Sequence, residues 1–139
     1  MIPIEREDIV LMMEGGYLSL RMGRLEQARD IFEGVHVLAP ESEVPLVALG
    51  SVYFGEFKFE QAVKAYKKAL KVKPASAFAR AYLGESFFFQ GKKEEAIREL
   101  EKASLLDPKG KSGDFARALL SAIEKGFVAP SPVPQKTSH

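Results

Sequence analysis

The 139-residue sequence has no cysteine, no tryptophan and only two histidines. Without cysteine the chain can form neither disulfides nor thiolate metal sites, which fits a reducing compartment. His36 lies inside a predicted helix and His139 ends the chain, so the two histidines do not have metal-ligand spacing. We therefore expect no metal and no other cofactor.

The sequence also lacks an excess of charge of one sign. Its 20 basic and 19 acidic side chains give a net charge of +1, so no global field would recruit nucleic acid or an anionic membrane. The apolar run after the acidic N-terminus is broken by Glu14 and Arg21, which is typical of neither a signal peptide nor a membrane span. We expect a cytoplasmic protein that binds no nucleic acid and does not insert into membranes.

Motifs for catalysis are missing as well. The sequence contains no Gly-rich phosphate loop, no nucleophile elbow and no pair of catalytic acids. Charged residues of both signs, Glu99 among them, alternate at i,i+3 and i,i+4 spacing between residues 92 and 102, which is typical of a solvated helix face. We expect that the protein is not an enzyme.

What the sequence does contain is a repeat with a period of 34 residues. Small and large apolar residues recur at helical spacing within each copy, and the small ones allow two helices to approach closely. Such a period predicts an array of helical hairpins, each burying its apolar face against the next. The second and third copies match at Leu49-Gly50 and Leu83-Gly84, Tyr53 and Phe87, Ala62 and Ala96, Tyr66 and Leu100, Ala69 and Ala103, and Pro74 and Pro108. A weaker first copy carries Gly15-Gly16, Gly23, Ala28, Phe32, Val35 and Pro40.

This pattern predicts seven helices, near residues 8–21, 25–38, 43–55, 59–72, 77–89, 93–106 and 112–125. The proline of each copy ends a helix, and Ser42 and Ser76 are expected to be the N-caps of the helices that follow. Gly23 and Gly91 should form the turns inside the first and third hairpins. Phe57 holds the equivalent place in the second hairpin, so that turn is expected to be less standard.

The last predicted helix is amphipathic and follows the third copy. Phe115, Leu119 and Ile123 lie at i, i+4 and i+8, where they would cover the apolar end of the array. Gly126 should end this helix. We therefore expect a single domain over residues 9–126, with repeats near 9–42, 43–76 and 77–110, a short N-terminal segment of residues 1–8, and a flexible Pro-rich tail of residues 127–139.

The recurring residues resemble the tetratricopeptide repeat over about residues 9–110. The resemblance implies an all-α fold in which three helix-turn-helix repeats form a right-handed superhelix, with the C-terminal helix as a cap. The sequence departs from the family in lacking its usual tryptophan, whose place in the third unit is held by Arg80. Gly15 and Ser19 stand where a leucine and an aromatic residue are usual, so the first helix is expected to be loosely packed or displaced.

In proteins of this family the first helix of each repeat lines a concave groove that binds protein segments. The resemblance places twelve residues in that groove, and Tyr17, Phe54, Phe78 and Phe88 are its potential anchors. For any one of them the alternative is packing in the core. The set is mostly apolar and implies a partner protein or peptide with an apolar segment. Its members are Val10, Met13, Tyr17, Leu20, Val44, Val47, Ser51, Phe54, Phe78, Ala81, Glu85 and Phe88.

The groove residues also distinguish between classes of tetratricopeptide protein. Carboxylate-clamp co-chaperones use Lys, Asn and Arg at the places held here by Met13, Tyr17 and Ser51, so binding of a charged C-terminus is disfavoured. The small three-repeat array, with its segment 28–40, is similar to bacterial type III secretion chaperones of tetratricopeptide type. That resemblance implies a chaperone for an aggregation-prone secretion substrate, in a homodimer or a heterocomplex. The alternative is a general scaffold or adaptor in a multiprotein complex.

Overall fold

The computed structural model describes residues 5–130, which form seven helices and no strand. Each helix begins and ends within two residues of its predicted bounds, so the predicted all-α fold is confirmed. None of these helices combines the length and apolarity that crossing a bilayer requires. Residues 1–4 and residues 131–139 of the predicted tail lie outside the described part. The helices are α1 Arg6–Arg21, α2 Leu25–Leu38, α3 Val44–Gly55, α4 Phe59–Val72, α5 Ala77–Phe89, α6 Lys93–Leu106 and α7 Lys111–Glu124.

The first six helices pair as three hairpins, and each pair crosses at a glycine. A Cβ atom at Gly84 would lie 2.7 Å from Leu100 Cγ, so only a hydrogen atom fits between α5 and α6. This close approach sets the register in which each hairpin packs. The three crossings recur at the predicted period and join Gly16 to Phe32, Gly50 to Tyr66, and Gly84 to Leu100.

The first repeat keeps this register despite its unusual residues. Gly16 lies against Phe32, whereas a Cβ atom at Gly15 would meet nothing within 4 Å. Ser19, at the place where an aromatic is usual, is buried. The expectation that α1 is displaced is therefore wrong, because Gly16 alone is enough to admit the Phe32 ring.

The turns inside the hairpins follow the prediction, including the irregular one. Gly23 and Gly91 have φ angles of 77° and 80°, and Phe57 has a φ of 63° at the equivalent place. In all three turns the next residue donates its N–H to the carbonyl five residues earlier, as Lys58 does to Tyr53 at 2.9 Å. Phe57 therefore adopts a left-handed backbone that disfavours a bulky side chain.

One of the two predicted N-caps is present. Ser76 precedes α5, and its Oγ accepts a hydrogen bond from the Ala79 N–H at 3.1 Å. Ser42 is not an N-cap, because α3 begins at Val44 and Ser42 Oγ instead accepts the Val44 N–H at 3.2 Å. With Ser42 as N-cap, Pro45 would occupy the third helical position, where it has no N–H to donate.

Helix α7 packs against α5 and α6, as expected of a capping helix. Its start is fixed by Asp107, whose Oδ2 accepts the Gly113 N–H at 2.9 Å. Ile123 is buried, and Phe115 and Leu119 are partly buried against the core. These three side chains therefore cover the end of the third repeat, as their spacing predicts.

The charged face predicted on α6 is only partly solvated. Glu99 Oε1 lies 2.9 Å from Arg80 Nη1, and the Glu99 side chain is 15% exposed. The prediction of a fully solvated face is wrong at this residue, because Arg80 reaches it from α5. Arg80 stands where the family usually has tryptophan, and it fills that place with an ion pair between the two helices of one hairpin.

The helices form two layers of unequal spacing. Helix α1 contacts α3, α3 contacts α5, and α5 contacts α7, whereas among the described residues α2, α4 and α6 do not contact one another. The layer made by the first helices of the hairpins is thus the more closely spaced one. A stack curves toward its more closely spaced layer, so α1, α3, α5 and α7 line the concave side.

Candidate protein-binding groove

The structure divides the twelve predicted groove residues into two groups. Eight are exposed or partly exposed on α1, α3 and α5: Val10, Tyr17, Leu20, Val44, Ser51, Phe54, Phe78 and Glu85. Four are buried in the core and do not line an open groove: Met13, Val47, Ala81 and Phe88.

The accessible stripe of α5 has a different register from the one predicted. Ala81 and Phe88 are only 1% and 5% exposed, while the next residue in each case, Tyr82 and Phe89, is partly exposed. With Phe78 and Glu85 they form one stripe at i, i+4, i+7 and i+11. Tyr82 and Phe89 are therefore groove residues that sequence reasoning missed, although their helical spacing marks them.

Three phenylalanines form an aromatic cluster at one end of this stripe. The ring centroids of Phe54 and Phe89 are 5.1 Å apart, and Phe59 lies 5.0 Å from Phe54 and 5.5 Å from Phe89. We call this group the turn-side cluster because Phe54 and Phe89 lie in the last turns of α3 and α5, next to the hairpin turns. Phe54 and Phe89 are partly exposed and offer apolar surface to a ligand.

A second aromatic cluster occupies the other end of the stripe. The Tyr82 ring is 4.8 Å from Phe78, 5.6 Å from Phe115 of α7 and 6.0 Å from Tyr66 of α4, between centroids. A cavity of about 440 Å³ opens beside Phe78, Tyr82 and Phe115, with Lys111 on its border. We call this group the cap-side cluster, and it shows that α7 contributes to the concave side.

Between the two clusters the groove carries one carboxylate and several hydroxyl groups, and two of these hydroxyls belong to Tyr66 and Tyr82 of the cap-side cluster. Ser51 Oγ and the Tyr66 hydroxyl lie 3.3 Å apart. Burial raises the pKa of the Tyr66 and Tyr82 phenols, and the charge of nearby Glu85 raises both further; on Tyr17, Tyr82 adds in the same way to the effect of burial. These five residues, from α1, α3, α4 and α5, form the polar centre of the groove.

Desolvation dominates the electrostatics of the polar centre. Burial raises the pKa of Glu85 to about 7, and no neighbouring cation opposes this effect. Burial is likewise the largest cause that raises the pKa of Tyr17, Tyr66 and Tyr82. The groove therefore disfavours negative charge at its centre, including the charge of its own carboxylate.

The chain after α7 folds back over the end of α5. Phe127 stacks on Phe88 with centroids 5.6 Å apart and an interplanar angle of 27°, and Ala129 packs against the core. The first residues of the predicted flexible tail are therefore packed. Beside them lies a cavity of about 480 Å³ that is bordered by Phe89 and Gln90.

No metal site is evident in the described region. Residues 5–130 bring together no group of three or more His, Asp or Glu side chains that could hold a metal ion. What the groove offers a ligand is aromatic surface on both sides of hydroxyl groups and one carboxylate.

The fold has counterparts among solved structures. SycD, the type III secretion translocator chaperone of Yersinia enterocolitica, aligns with a TM-score of 0.79 and 16% identity over 86% of this chain and 92% of its own. PcrH from Pseudomonas aeruginosa gives 0.79 and 17%, over 87% and 95%. The first tetratricopeptide region of Spaghetti (RPAP3), bound to the HSP90 peptide SRMEEVD, gives 0.73 and 22%, over 89% and 99%.

SycD has also been solved with a peptide of the translocator YopD, and PcrH with the chaperone binding region of PopB. A comparison with curated proteins finds no match. The profile of the tetratricopeptide repeat family matches residues 53–123, just over half of the sequence. Together with the 34-residue period and the hairpin array, this match shows that the chain belongs to the tetratricopeptide repeat family.

Proposed function

We propose that the protein is a non-catalytic binding module that holds an apolar segment of a partner protein in its concave groove. The observation that carries the proposal is the alignment of partly exposed aromatic side chains from α1, α3 and α5 on one concave surface, with Tyr17, Phe54 and Phe78 among them. Each apolar side chain that a ligand buries there contributes roughly 1.5–3 kcal/mol before ordering costs. Apolar surface gathered on one concave face is typical of a partner site.

The chemistry of the groove favours an internal segment over a charged C-terminus. Tyr17 and Ser51 offer no cation to a carboxylate, and Met13 is buried. Glu85 adds a repulsive charge of the same sign as a terminal carboxylate. An acidic peptide, such as the HSP90 peptide SRMEEVD bound by RPAP3, is therefore a poor ligand for this chain.

Within this class we propose the role of a cytoplasmic type III secretion chaperone. Support comes from the size and fold of SycD and PcrH, which align over nearly their full length. Both have been solved with partner segments, SycD with a peptide of the translocator YopD and PcrH with the chaperone binding region of PopB. In that role the groove covers an apolar segment that would otherwise aggregate before export. The similar alignment with RPAP3 keeps a scaffold or adaptor as the second candidate.

The two roles predict a different solubility for the partner when it is produced without this protein. We would purify tagged protein from its native cell, identify the captured partner, and produce that partner by itself, with the wild-type chain, and with Phe54→Asp. For a chaperone, the partner is insoluble alone and with the variant but soluble with wild type. For a scaffold, the partner is soluble in all three cases. Capture that survives Phe54→Asp would remove the groove from the mechanism.

The matched control is a charge change on the outer layer. Arg98 is exposed on α6, so Arg98→Glu should leave partner capture unchanged because its side chain stays in water. Phe54→Asp should abolish capture while the helical circular dichroism remains, since an unpaired charge in a dehydrated groove costs more than the contact it replaces. Loss of capture by Arg98→Glu alone would place the binding site on the convex side.

A further inference from the structure

The carboxylate of Glu85 is the one strongly shielded acid of the groove that lacks a counterion. Two other shielded carboxylates of the chain are paired, Glu56 with Arg29 at 3.0 Å and Glu99 with Arg80 at 2.9 Å. Glu85 has no ion pair within residues 5–130, and burial is the only cause that acts on its pKa. It lies on the accessible stripe of α5, between the cap-side and turn-side clusters.

A purely apolar ligand would leave the Glu85 carboxylate with neither water nor a counterion. A segment that contacts both clusters passes over Glu85 and removes the water that still solvates it. Burying an ionised carboxylate without a partner costs more free energy than one apolar contact with the ligand contributes. A charge-assisted hydrogen bond from the ligand offsets this desolvation cost. Beneath an apolar ligand Glu85 would have to take up a proton, whereas a ligand with a cationic donor at this place can bind the ionised carboxylate.

We propose that the segment bound in the groove carries a lysine or arginine that pairs with the Glu85 carboxylate, between apolar side chains that contact the two aromatic clusters. This inference rests on the proposed function and names the chemistry of its ligand. The rings of Tyr17 and Tyr82 add to the preference for a cation, because aromatic faces attract ammonium and guanidinium groups. No such attraction exists for a ligand carboxylate.

The spacing on α5 limits the pattern of the ligand. Tyr82 and Phe89 are seven residues apart, which is about 10 Å along the helix axis, and Glu85 lies between them. Phe78, the other α5 residue of the cap-side cluster, lies about 16 Å from Phe89 along the same axis. In an extended segment, side chains on one face recur every two residues, about 6.6 Å apart, so two of them separated by four residues span about 13 Å, between these two distances. The expected pattern is therefore an apolar residue, any residue, Lys or Arg, any residue, and a second apolar residue. A helical segment would place the apolar residues one turn away instead.

Titration of Glu85 gives an independent readout. The groups that face it are the phenols of Tyr66 and Tyr82, with Tyr17 and the cation of Lys111 next to Tyr82. The partly shielded acid of α6, Glu99, forms an ion pair with Arg80 and does not act on Glu85. The phenols stay neutral below pH 10, because each pKa is raised. Between pH 6 and 8.5 Glu85 ionises, so affinity for a cationic segment should rise with pH.

The experiment uses a phage-displayed library of random peptides about 12 residues long. The library is selected on the full-length wild type and, in parallel, on Glu85→Gln, which keeps the size of the side chain. Wild type should enrich peptides with Lys or Arg between apolar residues, and Glu85→Gln should enrich the apolar residues without the cation. A synthetic peptide from the wild-type selection should lose at least about tenfold in affinity when its cation is replaced by norleucine. The same replacement should change binding to Glu85→Gln little.

Phe54→Asp separates failure of this inference from failure of the proposed function. If the selected peptides bind Phe54→Asp as well as wild type, the groove is not the binding site and both proposals fail. If binding needs Phe54 but shows no preference for a cation, only the inference is overturned. An affinity for the lysine peptide that falls between pH 6 and 8.5 would overturn it equally, since it would mean that the protonated acid is the binding form.

Discussion

Phe57 is the only non-glycine residue of the described chain with a positive φ, at 63°. A left-handed backbone costs an ordinary residue roughly 1–2 kcal/mol, and the Phe57 ring is 55% exposed and gains little in return. We expect Phe57→Gly to raise the free energy of unfolding by about 0.5–1 kcal/mol, measured by urea denaturation. The equivalent Gly91→Ala should lower it by about 1 kcal/mol. The Phe57 ring lies edge-on to Phe59, with centroids 6.3 Å apart. A destabilised Phe57→Gly would mean that this contact outweighs the backbone strain.

The glycine at each helix crossing gives a second prediction for single residues. A methyl group at Gly84 would overlap Leu100, so Gly84→Ala should cost about 1–3 kcal/mol of stability. Gly34 is also inside a helix, but a Cβ atom there meets nothing within 4 Å. Gly34→Ala should therefore stabilise by about 0.5–1 kcal/mol. Thermal melts that shift in the same direction for both variants would contradict the crossing geometry.

Glu85 predicts a pH dependence of stability in the free protein. Its pKa is about 7 in the folded state against an ordinary 4.5, so the folded state holds its proton more tightly than the unfolded state. The stability that this proton contributes is full below pH 4.5 and is lost as the pH rises through 7. Glu85→Gln should remove this loss, on the order of 1–2 kcal/mol between pH 5 and 8 after allowance for residual hydration. Parallel pH profiles of the two proteins would show that Glu85 is well solvated.

At the scale of elements, α7 covers the end of the third repeat by packing against α5 and α6. Truncation after Pro108 should expose the apolar sides of α5 and α6 and cause aggregation, measured by light scattering. Truncation after Pro130 removes only residues 131–139 and should leave the melting temperature unchanged. Truncation after Gly126 is the informative intermediate, because it removes the stacking of Phe127 on Phe88 and should cost about 0.5–1.5 kcal/mol. A soluble, helical product ending at Pro108 would refute the capping role.

The helices and turns were predictable because their signals are local. Helical spacing of apolar residues, a proline two residues after each outer helix and a left-handed residue in each turn are all read within one hairpin. The sequence also predicts the irregular turn at Phe57, because the 34-residue period gives Phe57 the same repeat position as Gly23 and Gly91. Ser42 shows the limit of such local signals, because the recurring serine predicts an N-cap there, whereas Pro45 three residues later moves the start of α3 to Val44.

The groove was less predictable because it depends on how elements pack. Phe87, Phe88 and Phe89 are consecutive, and the sequence alone does not say which ring faces the groove. Packing buries Phe88 beneath Phe127, and Phe89 takes the accessible place beside Phe54. The hydroxyl of Tyr66 reaches Ser51 from the outer layer, although the repeat pattern marks Tyr66 only as core. The polar centre therefore appears only when four helices are assembled.

The helical array as a whole is asymmetric, because a further helix covers its last hairpin and none of the described helices covers its first. At the C-terminal end α7 contacts both α5 and α6, whereas at the other end α1 contacts, of the seven described helices, only α2 and α3. Leu11 and Leu18 of α1, and Met22 directly after it, are between 51% and 67% exposed. In a linear array each repeat is stabilised by its neighbours, so the first hairpin should be the least stable part of the described chain.

Hydrogen exchange measured by mass spectrometry tests this asymmetry. Amides of α5, which contacts α3, α4, α6 and α7, should exchange most slowly, and those of α1 most rapidly.

Phe32→Ala removes the side chain that fills the first crossing, at a cost of about 3–5 kcal/mol. It should accelerate exchange in α1 and α2 but not in α5 and α6, because the later hairpins pack without the first. Leu100→Ala, at the third crossing, should instead accelerate exchange from α3 to α7. If Phe32→Ala accelerates all helices equally, the chain unfolds as one cooperative unit and its repeats do not stabilise one another as separable neighbours.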